Sequence, residues 1–167
     1  MKHLYLVRHA KSSWDEPGLS DFDRPLNKRG KKDAPLMGEI IAGKKIKPEI
    51  IISSPAQRAR KTALAFAEAF GIKKNEIIFD EKVYEASPAD LMEIIQNIND
   101  DVKSVMLFGH NPGLTNLSNS LSKKNIDNIP TCGIVALKIN ASWKNLSQSP
   151  VELEFFEYPK LHIKEST

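Results

Sequence analysis

At 167 residues, 41% of them apolar and 27% charged, the chain has the size and balance of one soluble globular domain, and residues 1–167 are expected to form it. No apolar run approaches the ~20 residues of a bilayer span, and the opening MKHLYLVRHA lacks a small-residue cleavage site, so the reading excludes membrane integration and secretion and expects a cytoplasmic protein. A net charge of +3 spread over separate lysine clusters, with no aromatics laced through them, speaks against a nucleic-acid binder, and the lone Cys132 excludes an internal disulfide.

Residues 3 to 7 are apolar with β-branched content and read as a first strand, followed by a polar loop over 10 to 27. Residues 28 to 43 carry a helical pattern, in which Pro35 predicts a kink or a later start. A strand at 49 to 52 leads into a helix from Pro55 to about Phe70, with Ser54 placed to cap it and Gly71 placed to end it. After a third strand at 76 to 79, Ser87 and Pro88 open a helix over 88 to 98 whose Leu91, Ile94, Ile95 and Ile98 share one face. A fourth strand spans 103 to 108, and a further helix starts at Asn111 and Pro112. Two last strands, 133 to 139 and 151 to 156, have little helix between them. Strands alternating with helices predict a three-layer α/β/α sandwich on a mostly parallel sheet, with an antiparallel edge strand where the last two pair.

In an open parallel sheet, ligands sit beyond the carboxyl ends of the strands. That rule selects Arg8 and His9 after the first strand, Arg58 shortly after the second, and His110 after the fourth. Singly, either histidine reads equally as a hydrogen-bonded core residue and Arg58 as a partner of a carboxylate on its own helix. Together they describe a cationic pocket for an anion. Phosphate suits planar guanidinium donors, and a helix opening at Asn111 is expected to add free backbone N–H groups. The arginines would repel a divalent cation, and His3, His9, His110 and His162 lack zinc-ligand spacing, so neither metal nor cofactor is expected.

LVRHAKSSW at 6 to 14, DFDRPLNKRG at 21 to 30, SSPAQRARKTA at 53 to 63 and FGHNPGL at 108 to 114 resemble the histidine phosphatase superfamily, which also holds the phosphoglycerate mutases. Within it the likeness is to small SixA-type phosphohistidine phosphatases. Ala10 departs from the glycine common in the broader superfamily. The resemblance implies a phosphoglycerate mutase-like fold, His9 as the phosphorylated nucleophile, Arg8 and Arg58 on the phosphoryl oxygens, His110 as a donor completing the pocket, and Arg24 as a further phosphate ligand.

Glu85, in VYEASP, is the candidate general acid for an alkoxide leaving group, against the plainer reading of a solvated loop glutamate. A phosphohistidine substrate, whose imidazole leaves easily, does without one. The chain has no room for large insertions over the pocket, so a phosphorylated protein is expected to reach it. Trp14 either anchors the loop after His9 or flanks such a partner. Rival readings are a phosphatase or mutase for a small phosphorylated metabolite, and a phosphate-binding module without catalysis. His3 reads as structural, His162 as part of a mobile tail, and a monomer is favoured.

Overall fold

Six strands line up in the order β3-β2-β4-β1-β5-β6, in a computed structural model that describes residues 1–163. They are β1 (Lys2–Arg8), β2 (Ile50–Ser53), β3 (Ile78–Phe79), β4 (Ser104–Gly109), β5 (Ile134–Ile139) and β6 (Val151–Glu157). Four helices accompany them: α1 (Lys28–Gly43), α2 (Gln57–Phe70), α3 (Pro88–Gln96) and α4 (Gly113–Ser122). β1 pairs parallel with β4, β4 with β2, and β2 with β3. The last two strands do pair antiparallel, but β5 also runs against β1, so among the described strands the reversed one lies inside the sheet and β6 forms the edge.

Both faces of the sheet are covered, which explains why the central strands are apolar throughout rather than alternating. Tyr5 and Val7 of β1 pack with Met37 and Ile41 of α1 and Phe66 of α2. Leu4 and Leu6 point the other way, into a core shared with Leu91 and Ile95 of α3, Leu114 and Leu117 of α4, and Trp143. Met37 and Ile41 lie one turn apart on α1, and Gly38 between them lets α1 approach the backbone of α2 at Phe66.

Pro35 does not delay α1, which starts at Lys28, with the Asn27 side chain accepting from the Gly30 amide, and runs unbroken to Gly43. The proline and Lys31 are both exposed, so water can satisfy the carbonyl that loses its partner. Ser54 does not cap α2. That helix begins at Gln57 after Ala56, and the Ser54 hydroxyl is turned to another task described below. Gly71 does end α2, at a φ of 72° that favours glycine. Ser87 and Asp90 form a reciprocal cap on α3.

Candidate active site

β1 carries the imidazole to the carboxyl edge of the sheet and backbone contacts fix it there. The His9 amide donates to the Gly109 carbonyl at 3.1 Å, while the Cys132 amide reaches the carbonyls of Arg8 and His9, each at 3.0 Å. Cys132 itself adopts a left-handed backbone, φ 61°, within a buried turn. His9 is 8% exposed, and its Nδ1 lies 2.7 Å from the Ala10 carbonyl. A carbonyl only accepts, so the ring proton sits on Nδ1 and Nε2 keeps its lone pair. Burial, opposed by that hydrogen bond and assisted by His110, Arg58 and Arg8, lowers the His9 pKa to about 3.

His110 follows β4 and stands 5.2 Å from His9, centroid to centroid. Its Nε2 meets the Ser54 hydroxyl at 2.8 Å. Ser54 Oγ also accepts from the Ala56 amide and still has its own proton to give; with that hydroxyl donating to Nε2, the His110 proton is on Nδ1. That Nδ1 is buried and has no partner among the described residues. Burial first, and then Arg58, lower the His110 pKa to about 4.

A cavity of about 180 Å³ is lined by Arg8, His9, Lys11, Ser12, Trp14, Arg24, Arg58 and Thr131. Arg8 Nη1 donates to the Ile129 carbonyl at 2.9 Å, while its Nε is buried without a partner. A larger hollow of about 530 Å³ lies over α3, but Asp80, Asp90 and Glu93 line it, an environment that repels phosphate. The small cavity is lined instead by four cationic side chains, Arg8, Lys11, Arg24 and Arg58, a donor set whose chemistry suits an anion.

Arg8, His9, Arg24 and Arg58 line the cavity together and His110 stands beside His9, whereas Glu85 is not among the lining residues. The Glu85 side chain is exposed, on a backbone with φ 57°, and it makes no hydrogen bond or ion pair among the described residues. Two of the amides in the first turn of α4 are not free for an anion. The amides of Leu114 and Thr115 are taken by the His110 carbonyl and the Asn111 side chain. Trp14 is no buried anchor: it is 75% exposed and covers the Arg24 guanidinium, 3.3 Å from its ring centroid. His3 contacts Glu154 at 2.6 Å, and His162, expected in a mobile tail, pairs with Glu157.

The sequence reading missed Asp21. Its carboxylate accepts from Arg24 at 2.9 Å, from Arg58 at 2.9 Å and from the Tyr84 hydroxyl at 2.6 Å. The Tyr84 hydrogen bond and then the arginines hold its pKa down at about 2. Spacing shows only the Asp21 to Arg24 pair, three residues apart, because Arg58 and Tyr84 arrive from remote segments.

The family model for the histidine phosphatase superfamily, branch 1, matches residues 4–117. An uncharacterised chloroplastic protein of Arabidopsis thaliana is 34% identical over 152 residues, 86% of this chain and 69% of that one. A crystal structure from Agrobacterium tumefaciens, provisionally assigned as the phosphohistidine phosphatase SixA, superposes with a TM-score of 0.80 at 31% identity, covering 95% of this chain and 98% of the other. The protein histidine phosphatase SixA complexed with tungstate shares the fold at a TM-score of 0.83 and 19% identity, over 96% and 99% of the two chains.

Proposed function

The chain belongs to the histidine phosphatase superfamily, and from that premise we propose that it is a phosphatase using His9 as nucleophile, with phosphohistidine in proteins as its substrate. The observation that carries this reading is a pair of buried polar atoms without partners among the described residues: Nε of Arg8, which lines the cavity with His9, and Nδ1 of His110, whose ring stands 5.2 Å from that of His9. Unpaired buried donors are costly, and an oxyanion is what they suit.

His9 Nε2 attacks phosphorus and forms the P–N bond while the bond from phosphorus to the leaving group breaks, the electron pair going with the leaving group. Arg8, Arg24 and Arg58 hold the phosphoryl oxygens and offset their charge, and the Nδ1–H of His110 donates a further hydrogen bond. In the second half, water oxygen bonds to phosphorus as the P–Nε2 bond breaks, which releases inorganic phosphate and restores neutral His9. The guanidinium groups supply the cationic field, so turnover is expected to survive a chelator.

Substrate class follows from protons. Both histidines are neutral at pH 7, Asp21 is ionised, and the pKa of Tyr84 is raised to about 12, by burial and then by the Asp21 carboxylate it faces. None of them is an acid suited to protonating an alkoxide, and Glu85 is exposed to solvent. An imidazole needs far less help: with a proton on the other ring nitrogen of the phosphohistidine it departs as neutral imidazole, whose conjugate acid has a pKa of about 6.5. The exposed Trp14 beside the cavity also leaves the mouth open to a side chain on a protein.

The test is brief exposure to a phosphohistidine peptide in the presence of a chelator, followed by mass spectrometry. Phosphate on His9 in the wild type, with neither phosphoenzyme nor turnover in a folded His9→Ala variant, is the expected result. Undiminished turnover in that variant rejects the mechanism. Hydrolysis of small phosphate esters at rates equal to the peptide instead favours the metabolite reading.

A further inference from the structure

Asp21 is the carboxylate, among the described residues, that ties two of the cavity's three arginines together. Oδ1 accepts from Arg24 Nη1, and Oδ2 accepts from Arg58 Nη2 and the Tyr84 hydroxyl. The Asp21 backbone carbonyl takes the other end of Arg58, Nη1, at 2.6 Å. Three separate parts of the chain meet on this residue: the loop after β1, helix α2, and the segment after β3.

Arg24 is restrained on every side. Its Nε donates to the Ser13 carbonyl at 3.1 Å, its Nη2 meets the Ser12 hydroxyl, and Trp14 lies across its face. Arg58 has no such set of partners. The hydrogen bonds its side chain makes among the described residues both go to Asp21.

We propose that Asp21 is a positioning residue: it fixes Arg58 relative to Arg24 in the geometry that meets the transferring phosphoryl group, and it tempers the attraction of the cavity for anions that do not react. This rests on the phosphatase reading above. Two physical effects act in opposite directions when Asp21 is removed. Orientation matters most to the reaction, where a displaced guanidinium forfeits stabilisation of the transferring group. Charge matters most to ground-state binding, where deleting the negative charge paired with two of the arginines strengthens the hold on any oxyanion. Tyr84 supports the arrangement from outside the cavity, since its hydroxyl bonds Asp21 and its ring packs edge-on to His110 at 5.5 Å.

Wild type, Asp21→Asn and Tyr84→Phe are compared for kcat on a phosphohistidine peptide, for inhibition by tungstate, and for thermal melting. Asp21→Asn is expected to lose about tenfold or more in kcat, on the scale of a misplaced catalytic group, while tungstate inhibits at several-fold lower concentration. Tyr84→Phe keeps the charge and both ion pairs, so kcat falls less and tungstate inhibition stays as in the wild type. A merely structural role moves kcat and tungstate binding down together. That pattern, or a kcat within twofold of wild type for Asp21→Asn, overturns the proposal. Should Asp21→Asn fail to fold, an unchanged kcat in Tyr84→Phe overturns it. Absence of phosphate on His9 in the wild type sinks the phosphatase reading itself, whereas normal wild-type turnover with an unaffected Asp21→Asn sinks only the role of Asp21.

Discussion

Thr62 Oγ1 lies 2.9 Å from the Ala10 amide nitrogen and 2.8 Å from the Arg58 carbonyl, fully buried between the loop that follows His9 and the helix that carries Arg58. Its hydroxyl accepts from the first and donates to the second. Ala10 in turn supplies the carbonyl that orients the His9 ring. Replacing Thr62 with valine keeps the shape and removes both bonds, leaving a buried N–H without a partner at a cost of about 1–3 kcal/mol. The Thr62→Val variant should melt earlier and lose several-fold in kcat, because the Ala10 peptide is freed to shift. Melting and activity both equal to wild type would refute this link.

The two active-site histidines predict an acid-sensitive fold with an acid-tolerant nucleophile. Their folded pKa values, about 3 for His9 and about 4 for His110, lie below the ~6.5 of an unfolded chain. Between pH 6.5 and 4 the unfolded state therefore binds protons that the folded state refuses, and stability falls as pH falls. Asp21 does not enter that window, since its carboxyl titrates below the ordinary 3.8. Nuclear magnetic resonance of the ring protons should find His9 and His110 unchanged from pH 8 to 5. Thermal melts over the same range should slope downward with acid, less steeply in His9→Ala. Ring signals of His9 moving with a midpoint near 6.5 would contradict the burial argument.

Two glycines of one helix should respond oppositely to alanine. A Cβ at Gly30 would lie 2.1 Å from the Lys11 carbonyl oxygen, which is backbone and cannot swing aside. The helix-propensity gain from alanine is about 1 kcal/mol, and the clash outweighs it by forcing α1 from the loop, so net destabilisation of about 1–3 kcal/mol is expected. At the other end of α1, a Cβ added to Gly43 would meet nothing within 4 Å, so Gly43→Ala should be neutral or mildly stabilising. Because Lys11 lines the cavity, Gly30→Ala should also raise KM. Chemical denaturation of the two variants and steady-state kinetics measure both effects; equal stability would refute the steric account.

Local signals made much of this molecule legible. Strand runs, the Ser87 cap and the Gly71 stop act over a few residues, and the order of strands and helices dictates which loops share an edge. His9, Arg8, Arg58 and His110 were readable for that reason, since each sits at or just after a strand that ends there. Pro35 misled because exposure of Lys31 removes the cost that normally breaks a helix. Ser54 misled because its hydroxyl bonds the Ala56 amide just before α2 and also His110, 56 positions away, which no local signal records. Asp21 and Tyr84 stayed hidden for a deeper reason. Their value lies in a bond across 63 positions of sequence, and no periodicity records such a bond.

Strand β1 has consequences for how the protein comes to life. Leu4 pairs with Val105 on one side and with Leu137 on the other, so the strand that leads into His9 takes its place only when both distant partners are available. Ribosomal synthesis delivers them in that order, long after His9 itself. A nascent chain halted before residue 134 would thus lack β5 and leave one side of β1 unpaired, an open strand edge next to His9 in need of shelter from aggregation.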